Sequence, residues 1–498
     1  MLNDTDATVL FDLDGVAVAR VYRDSDGIRV VQVVTADQAA RVCPGCGTRA
    51  TRVKGLVTTR PRDLEHGGGP VRLQWRKRRW VCGATSCHRG SFTEQIPQLA
   101  AGMRTTGRLR RAAGVAVVDG GRTLTQAGRD LGLSWPTVHR EFTAYARQVL
   151  PGTPAPTDVL GVDEVRRGKP VWEQDEQTGK WRLATDRWHV GFVDVTGRQG
   201  LFGQVEGRAT TVVVDWITAH DSDWQASIRY VAIDMCAVFR AAVRRALPHA
   251  QVVVDCFHVV QLANRRLAEL RRRCTWAQRR RRGRRGDPEW AVRGLLRRNA
   301  EDLTAEQRDT LTRTLTEIGT YGRWILTGWH AKEKLRTLLR LTAKHAHTGP
   351  DRHAISNARY QFMTHCLDSR QPELISLAQT IDDWWDGIEA YILTGITNAA
   401  SEGNNRLIKL EARNAFGFRN PANQRLRSRC ATTRQGPTRQ TPRSTLKTQY
   451  GSVVKLDHAR QLANCQRSKI CCQRRRSVTP CGVRQGEASH LGGNTLPR

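Results

Sequence analysis

Acids are scarce in this chain of 498 residues: 47 Asp and Glu stand against 80 Lys and Arg, a formal charge of +33. Among the cations arginine far outnumbers lysine. Such an excess is the electrostatic footprint of a nucleic-acid binder, because phosphates attract cations and counterion release drives association. A ribosome-associated or merely basic protein is the bland alternative. Long apolar runs are lacking too. Nothing approaches the length needed to cross a bilayer, and no apolar signal segment opens the sequence, so a membrane protein is not expected. Internal repeats are absent. Cysteine is present but odd in number, 13 residues scattered along the chain. The thiols are therefore expected to be reduced and the protein cytoplasmic, and a cysteine cluster argues for metal before disulfide. Hydrophobic content of 39% is enough for real cores, and the length suggests two to four domains.

The text changes character along the chain. Residues 1–42 alternate weakly, as in "GIRVVQVV", and predict short strands. Residues 43–98 hold four cysteines and many arginines. Residues 100–150 read as helices and end at a proline-marked linker (Pro151, Pro154, Pro156). From 157 to 264 short apolar runs alternate with helical text, which predicts an α/β domain. The strand candidates there are "VLGVDEV", "WHVGFVDV", "GLFGQVEG", "TVVVDWI", "VAIDM" and "VVVDCFHVV". Residues 265–395 show helical periodicity only, and 396–425 hold one more helix candidate. Residues 426–498 carry fifteen cations against two acids with little periodicity, and are expected to be a disordered basic tail.

Cys43 and Cys46 form "CPGC", and Cys82 and Cys87 form "CGATSC". Two close pairs on turns suit a structural tetrahedral zinc site, although four residues separate the second pair and His88 could replace Cys87. "LTQAGRDLGLSWPTVHREFTAYAR" suits a helix-turn-helix. Thr125 would cap the first helix, Gly132 make the turn, and Ser134 cap the second. Trp135, Thr137, His139 and Arg140 would face a DNA groove. A plain helical hairpin is the alternative.

Three carboxylates stand out by context. Asp163 ends "VLGVD", Asp255 ends "VVVD", and Glu402 lies in "TNAASEGNNRLIKLEAR". Glu402, Arg406, Lys409 and Arg413 share one helix face, an acid followed by three cations that could meet phosphates. Two strand-end aspartates and a helix glutamate would supply hard oxygen ligands for Mg²⁺ or Mn²⁺. Asp234, in "VAIDMC", also ends a strand and suits a supporting or structural acid. His258 could reach the reacting region, or simply start a helix. "LFDLDGV", with Asp12 and Asp14, looks like a phosphatase nucleophile loop, but the cysteine cluster follows too soon to leave room for that core.

The order of CPxC, basic arm, CxxxxC, helix-turn-helix, "GVDE", "VVVDCFHVVQLAN" and "EGNNRLIKLEARNAFGFRN" resembles the DDE transposases of the ISL3 insertion-sequence family, over roughly residues 8–428. The resemblance implies an RNase H-like catalytic core with a helical insertion, preceded by a zinc-binding domain and the helix-turn-helix. It implies that Asp163, Asp255 and Glu402 are the catalytic acids and that Cys43, Cys46, Cys82 and Cys87 bind zinc. It further implies a bacterial, nucleoid-associated enzyme that cuts DNA at terminal inverted repeats and joins them to target DNA, as a homo-oligomer when ends are paired. A non-catalytic DNA-binding regulator is the alternative. Two departures are visible. "TNAAS" stands where the family has a glycine-containing lead, and after "RNPANQRLR" the tail reads like a shifted reading frame.

Overall fold

The period-2 text near the N-terminus folds into strands. The computed structural model describes residues 5–196, 199–342 and 349–433. After a short helix α1 (Asp6–Phe11), strands β1 (Val16–Arg23) and β2 (Arg29–Thr35) pair as an antiparallel hairpin. β3 (Val53–Thr59), β4 (Val71–Val81) and β5 (Ser91–Thr93) follow. β2 pairs in parallel with β4, and β4 also pairs with β3 and β5. The expected boundary between residues 42 and 43 is therefore bridged by hydrogen bonds: the N-terminal strands and the cysteine region share one sheet. Its apolar face buries Val31, Val33, Leu73 and Trp75.

Three helices come next: α2 (Gly107–Val118), α3 (Leu124–Asp130) and α4 (Trp135–Val149). α2 and α4 pack closely because Gly114 offers no side chain; a Cβ there would lie 2.6 Å from Tyr145 Cβ. The cap of α3 is Thr123, not Thr125. Thr123 and Gln126 form a reciprocal capping box, which satisfies two amides at once and outcompetes a residue inside the first turn. Gly132 sits at φ +60° between α3 and α4, and Leu133 is buried beside Val138 and Phe142.

The chain then builds a mixed sheet from β6 (Val159–Arg166), β9 (Trp188–Asp194), β10 (Leu201–Glu206), β11 (Tyr230–Ile233) and β12 (Gln251–Val254), in the order β10-β9-β6-β11-β12. β6, β9 and β10 are antiparallel; β6, β11 and β12 are parallel. β7 (Val171–Gln174) and β8 (Trp181–Thr185) form an exposed hairpin between β6 and β9. "TVVVDWI", expected as a strand, is instead the helix α5 (Thr210–Thr218). Val213, Val214 and Ile217 bury one helical stripe, so tertiary packing overrode β-branched propensity. α6 (Ser222–Ser227) and α7 (Ala237–Ala246) complete the crossovers.

α8 (Cys256–Arg279) opens a helical block that continues through α9 (Pro288–Ala291), α10 (Arg293–Arg297), α11 (Ala305–Glu317), α12 (Thr320–Leu339), α13 (Arg352–Asp368), α14 (Pro372–Asp383) and α15 (Trp385–Thr394). The block docks on the sheet edge through α15, where Gly387 lets the helix approach Val254. α16 (Ala399–Asn414) then returns to lie against β6 and β9. α17 (Pro421–Thr433) runs past the position at which the tail was expected to begin. Its Cys430 joins the core of α2 to α4, and buried Arg427 pairs with Glu411 of α16 at 2.7 Å. Residues 434–498, on which the expected disorder falls, lie outside the described residues.

Gly161 sets how closely α16 approaches β6. A Cβ there would lie 2.4 Å from Ser401 Oγ and 2.9 Å from Asn398 Oδ1. Gly161→Ala is expected to destabilise the protein by about 1–3 kcal/mol through overpacking. A lower urea midpoint would check this; an unchanged midpoint would mean that α16 can slide outward freely.

Candidate active site and zinc centre

The register of the three parallel strands decides where the acids fall. Val162 pairs with Ile233, and Ile233 with Val254. The next residue on each strand is Asp163, Asp234 and Asp255. Parallel neighbours lie about 4.8 Å apart, so the three Cα atoms stand nearly level on one edge of the sheet. Side chains in register on adjacent strands share a face. Asp234 therefore stands between the two aspartates singled out from the sequence. Its signal was there, an acid closing an apolar strand, but its central place needed the strand order.

Each acid has a distinct setting. Asp163 is fixed by two hydrogen bonds: its Oδ1 accepts from the Glu164 amide at 2.7 Å, and its Oδ2 from Asn405 Nδ2 at 2.7 Å. Burial, reinforced by the nearby Asp234 charge, pushes its carboxyl up to about 7. Asp234 lies 2.8 Å from His258 Nδ1. That contact raises the His258 imidazole above its usual range. Asp255 caps α8 by accepting from the Phe257 amide at 3.0 Å. Side-chain donor atoms of Asp234, Asp255 and His258 all lie within 4.8 Å of one another.

Glu402 does not join them. It sits in the first turn of α16, one turn before Asn405, but its side chain is 57% exposed and pairs with Arg406 at 3.4 Å. The chain folds so that the helix bearing Glu402 touches Asp163 through Asn405, while the glutamate itself faces solvent. Lys409 and Arg413, further along α16, are exposed as the shared stripe predicts. Glu164 pairs with Arg208 at 3.3 Å.

The four cysteine sulfurs converge, all within 4.8 Å of one another. Cys43 and Cys87 Sγ are 3.9 Å apart, and Cys46 and Cys82 Sγ 3.5 Å. Both are too long for disulfides. A tetrahedral ion with Zn–S bonds of about 2.3 Å holds its sulfurs about 3.8 Å apart, so the cluster fits zinc. Gly47, at φ +73°, closes the first knuckle, and the Gly47 amide donates to the Cys43 carbonyl at 2.9 Å. Hydrogen bonds from Thr48 hold the Cys46 thiol down to about 6, which favours the thiolate a metal needs. Cys87 is inside the cluster and His88 is exposed.

On α4, Trp135 and Arg140 are exposed, whereas Thr137 and His139 are half-buried. His139 stacks on Trp135, with ring centroids 5.0 Å apart, and sits against Phe142. It supports the tryptophan rather than projecting on its own. Asp12, at the C-terminal cap of α1 with φ 47°, is on no strand end, which removes the phosphatase reading. Several arginines of the helical block are already paired, as Arg273 is with Glu373 at 2.7 Å and Arg279 with Glu289 at 2.7 Å.

Asp234 and Asp255 follow the ends of their strands, and Asp163 lies within β6 where its parallel pairing stops; carboxylates so gathered beside a basic helix suit a metal-dependent phosphoryl-transfer site. Comparison with known proteins narrows this. A family model described as transposase matches residues 175–428, just over half of the chain. A second, the zinc-finger of transposase IS204/IS1001/IS1096/IS1165, matches residues 39–87. A transposase for insertion sequence element IS1001 from Bordetella parapertussis is 24% identical over 421 residues, which cover 81% of this chain and 92% of that relative. The chain belongs to the ISL3 family of transposases, DNA-cleaving and DNA-transferring enzymes, and carries that family's zinc-binding segment. Among the described residues, no helix is long and apolar enough to cross a membrane.

Two outcomes are expected. Purified protein should carry about one zinc ion per chain by mass spectrometry, and Cys82→Ser should lose it and lower the melting temperature; full zinc occupancy in that variant would contradict the assignment. The second concerns Asp163. Unfolded, this aspartate gives up its proton near 3.8; folded, it keeps it to about 7. The folded state then binds more protons between those values, so metal-free protein loses stability as pH rises from about 4 to about 7. Asp163→Asn should flatten that slope in urea titrations, and an unchanged slope would refute the linkage.

Proposed function

We propose that the protein cuts DNA at the terminal inverted repeats of its own insertion sequence and joins the freed ends to target DNA, with Asp163, Asp234, Asp255 and Glu402 as the acids that serve the reaction. The observation that carries this is the level row of three aspartates on adjacent parallel strands. The strand order β10-β9-β6-β11-β12, with an acid-bearing helix packed on β6, supports an RNase H-like core with a helical insertion between β12 and α16. The carboxylates are hard oxygen donors, and Asp163, raised chiefly by burial and then by the Asp234 charge beside it, would be favoured in its charged form by a cation there, which fits Mg²⁺ or Mn²⁺. When bound there, such an ion supplies Lewis acidity to the attacking and leaving oxygens.

The chain's own residues do the positioning. Asn405 locks the Asp163 carboxylate, and His258 orients Asp234. Asp234 stands at the centre of the row, with Asp163 on one side and Asp255 on the other. Glu402 sits in the first turn of α16, one turn before Asn405, and must leave Arg406 to join the row. Water attacks first at the element's end; the freed 3′-OH then attacks target DNA in line, with no covalent protein intermediate. The zinc domain and the α3–α4 unit, as a helix-turn-helix, read the ends through Trp135, Thr137 and Arg140, with His139 beneath. Arg406, Lys409 and Arg413 hold phosphates, a contact that weakens with salt. Pairing two ends calls for a multimer.

The test is cleavage of a labelled duplex carrying the element's end, with Mg²⁺ and with EDTA. Asp163→Asn, Asp234→Asn and Glu402→Gln should each lower the rate by at least about a hundredfold, as loss of a preorganised electrostatic group does, while the duplex is still bound. Full activity in Asp163→Asn or Asp234→Asn would refute the assignment.

A further inference from the structure

Next to the acids, further along β6 and α16, the two elements open into a cleft of about 730 Å³. That volume falls within the roughly 300–1,000 Å³ of sites that take small ligands. Arg166, Arg167, Lys169, Lys409, Arg413 and Arg419 line it, and no acid does among the described residues. Arg167 is already committed. It donates to Gln424 Oε1 at 2.6 Å and to the Phe418 carbonyl at 2.9 Å, fixing the turn after α16. The other five are left for a ligand.

The cleft also holds buried polar groups with nothing to bind. His189 is 1% exposed and Gln204 9%. His189 Nε2 and both amide atoms of Gln204 have no hydrogen-bond partner among the described residues. Buried polar groups are nearly always satisfied, so a vacant donor and acceptor side by side point to a partner with a matching edge. Burial, helped by the nearby Arg167 and Arg425 charges, holds the imidazole of His189 down to about 4, so it meets that partner uncharged.

At the lip stands a third oddity. Phe416 is fully exposed and sits at φ 52°, a left-handed conformation that a bulky residue avoids. It is no loose loop residue. The Phe416 amide donates to the Arg413 carbonyl at 3.0 Å, and the Gly417 amide to that of Ala412 at 2.8 Å. The next two residues, Gly417 and Phe418, line the cleft. The two amide hydrogen bonds close the end of α16, and the left-handed turn is that cap; what the packing leaves unexplained is a large aromatic ring, rather than a glycine or asparagine, held out in water there.

We propose that the cleft receives a single DNA nucleotide swung out of the duplex beside the cut site, and that Phe416 enters the base stack in its place. The proposal rests on the DNA-cutting reading above. An apolar side chain wedged between base steps unstacks them. Enzymes that act on a base inside a duplex take the extruded nucleotide into a fitted pocket. The Gln204 amide is covered as the cleft stands, and it offers a donor and an acceptor to the base edge once the entering base displaces what covers it, while the cations take the flanking phosphates. A site for phosphate alone would need neither the amide nor the wedge.

The experiment uses the full-length protein and a duplex spanning the junction of terminal repeat and flank, with 2-aminopurine placed at successive positions. One position near the cut should brighten several-fold on binding. Phe416→Ala, which removes only an exposed ring, should abolish the gain, and so should the near-isosteric Gln204→Met. Cleavage by Phe416→Ala should be slowed at least tenfold and restored by an abasic site at the bright position. A preparation that cleaves yet brightens no position overturns the inference alone, as does a gain that survives both substitutions. A preparation that neither cleaves nor brightens overturns the DNA-cutting reading with it.

Discussion

The partial burial of several carboxylates side by side on one sheet edge is the constraint around which this molecule is arranged. Parallel pairing of β6, β11 and β12 brings Asp163, Asp234 and Asp255 level, and the protein supplies too few cations there to neutralise them. His258 answers Asp234, and an α8 backbone amide answers Asp255. Asp163 accepts hydrogen bonds only from neutral amides, and burial, with the Asp234 charge beside it, keeps its proton to near neutrality. Such an arrangement is costly to fold unless function requires the charge. Tight elements hold it in place. Gly161 admits α16 against β6, Asn398 donates to the Val162 carbonyl at 3.2 Å, and Asn405 reaches the carboxylate itself.

The excess positive charge divides into two populations with different physics. In the helical block, arginines such as Arg273 and Arg279 are spent on buried or half-buried partners and stiffen that block. Along α16 and the turn after it, Lys409, Arg413 and Arg419 stay exposed next to the acids. A polyanion approaching the aspartate row thus meets attraction on one side of its path and repulsion at the row itself, which a divalent cation would relieve. α17 links the regions. Its Arg427 pairs with Glu411 of α16, while its Cys430 packs among the helices that precede the sheet.

Much of this could be read from the residues. The apolar runs before Asp163, Asp234 and Asp255 announced strands of an α/β domain, although β6 runs past Asp163 to Arg166 because its antiparallel pairing with β9 continues, and the paired cysteines announced a shared ion. What escaped was decided by contacts far apart in sequence. "TVVVDWI" has strand composition, but its valines bury at helical spacing. Asp234 looked secondary because its rank depends on strand order, which no local pattern encodes. Glu402 sits on the expected helix stripe, yet the salt link to Arg406 and the helix's rotation leave it outside the acid row. The cleft at His189 and Gln204 gave no signal at all, since a buried histidine and glutamine in strands read as ordinary core.

Manganese would report the arrangement directly. In crystals soaked with Mn²⁺, anomalous scattering should place an ion between the carboxylates of Asp163 and Asp234, with Glu402 turned away from Arg406 toward it. Manganese bound only elsewhere, or an aspartate row that stays metal-free at saturating Mn²⁺ with DNA present, would contradict the account.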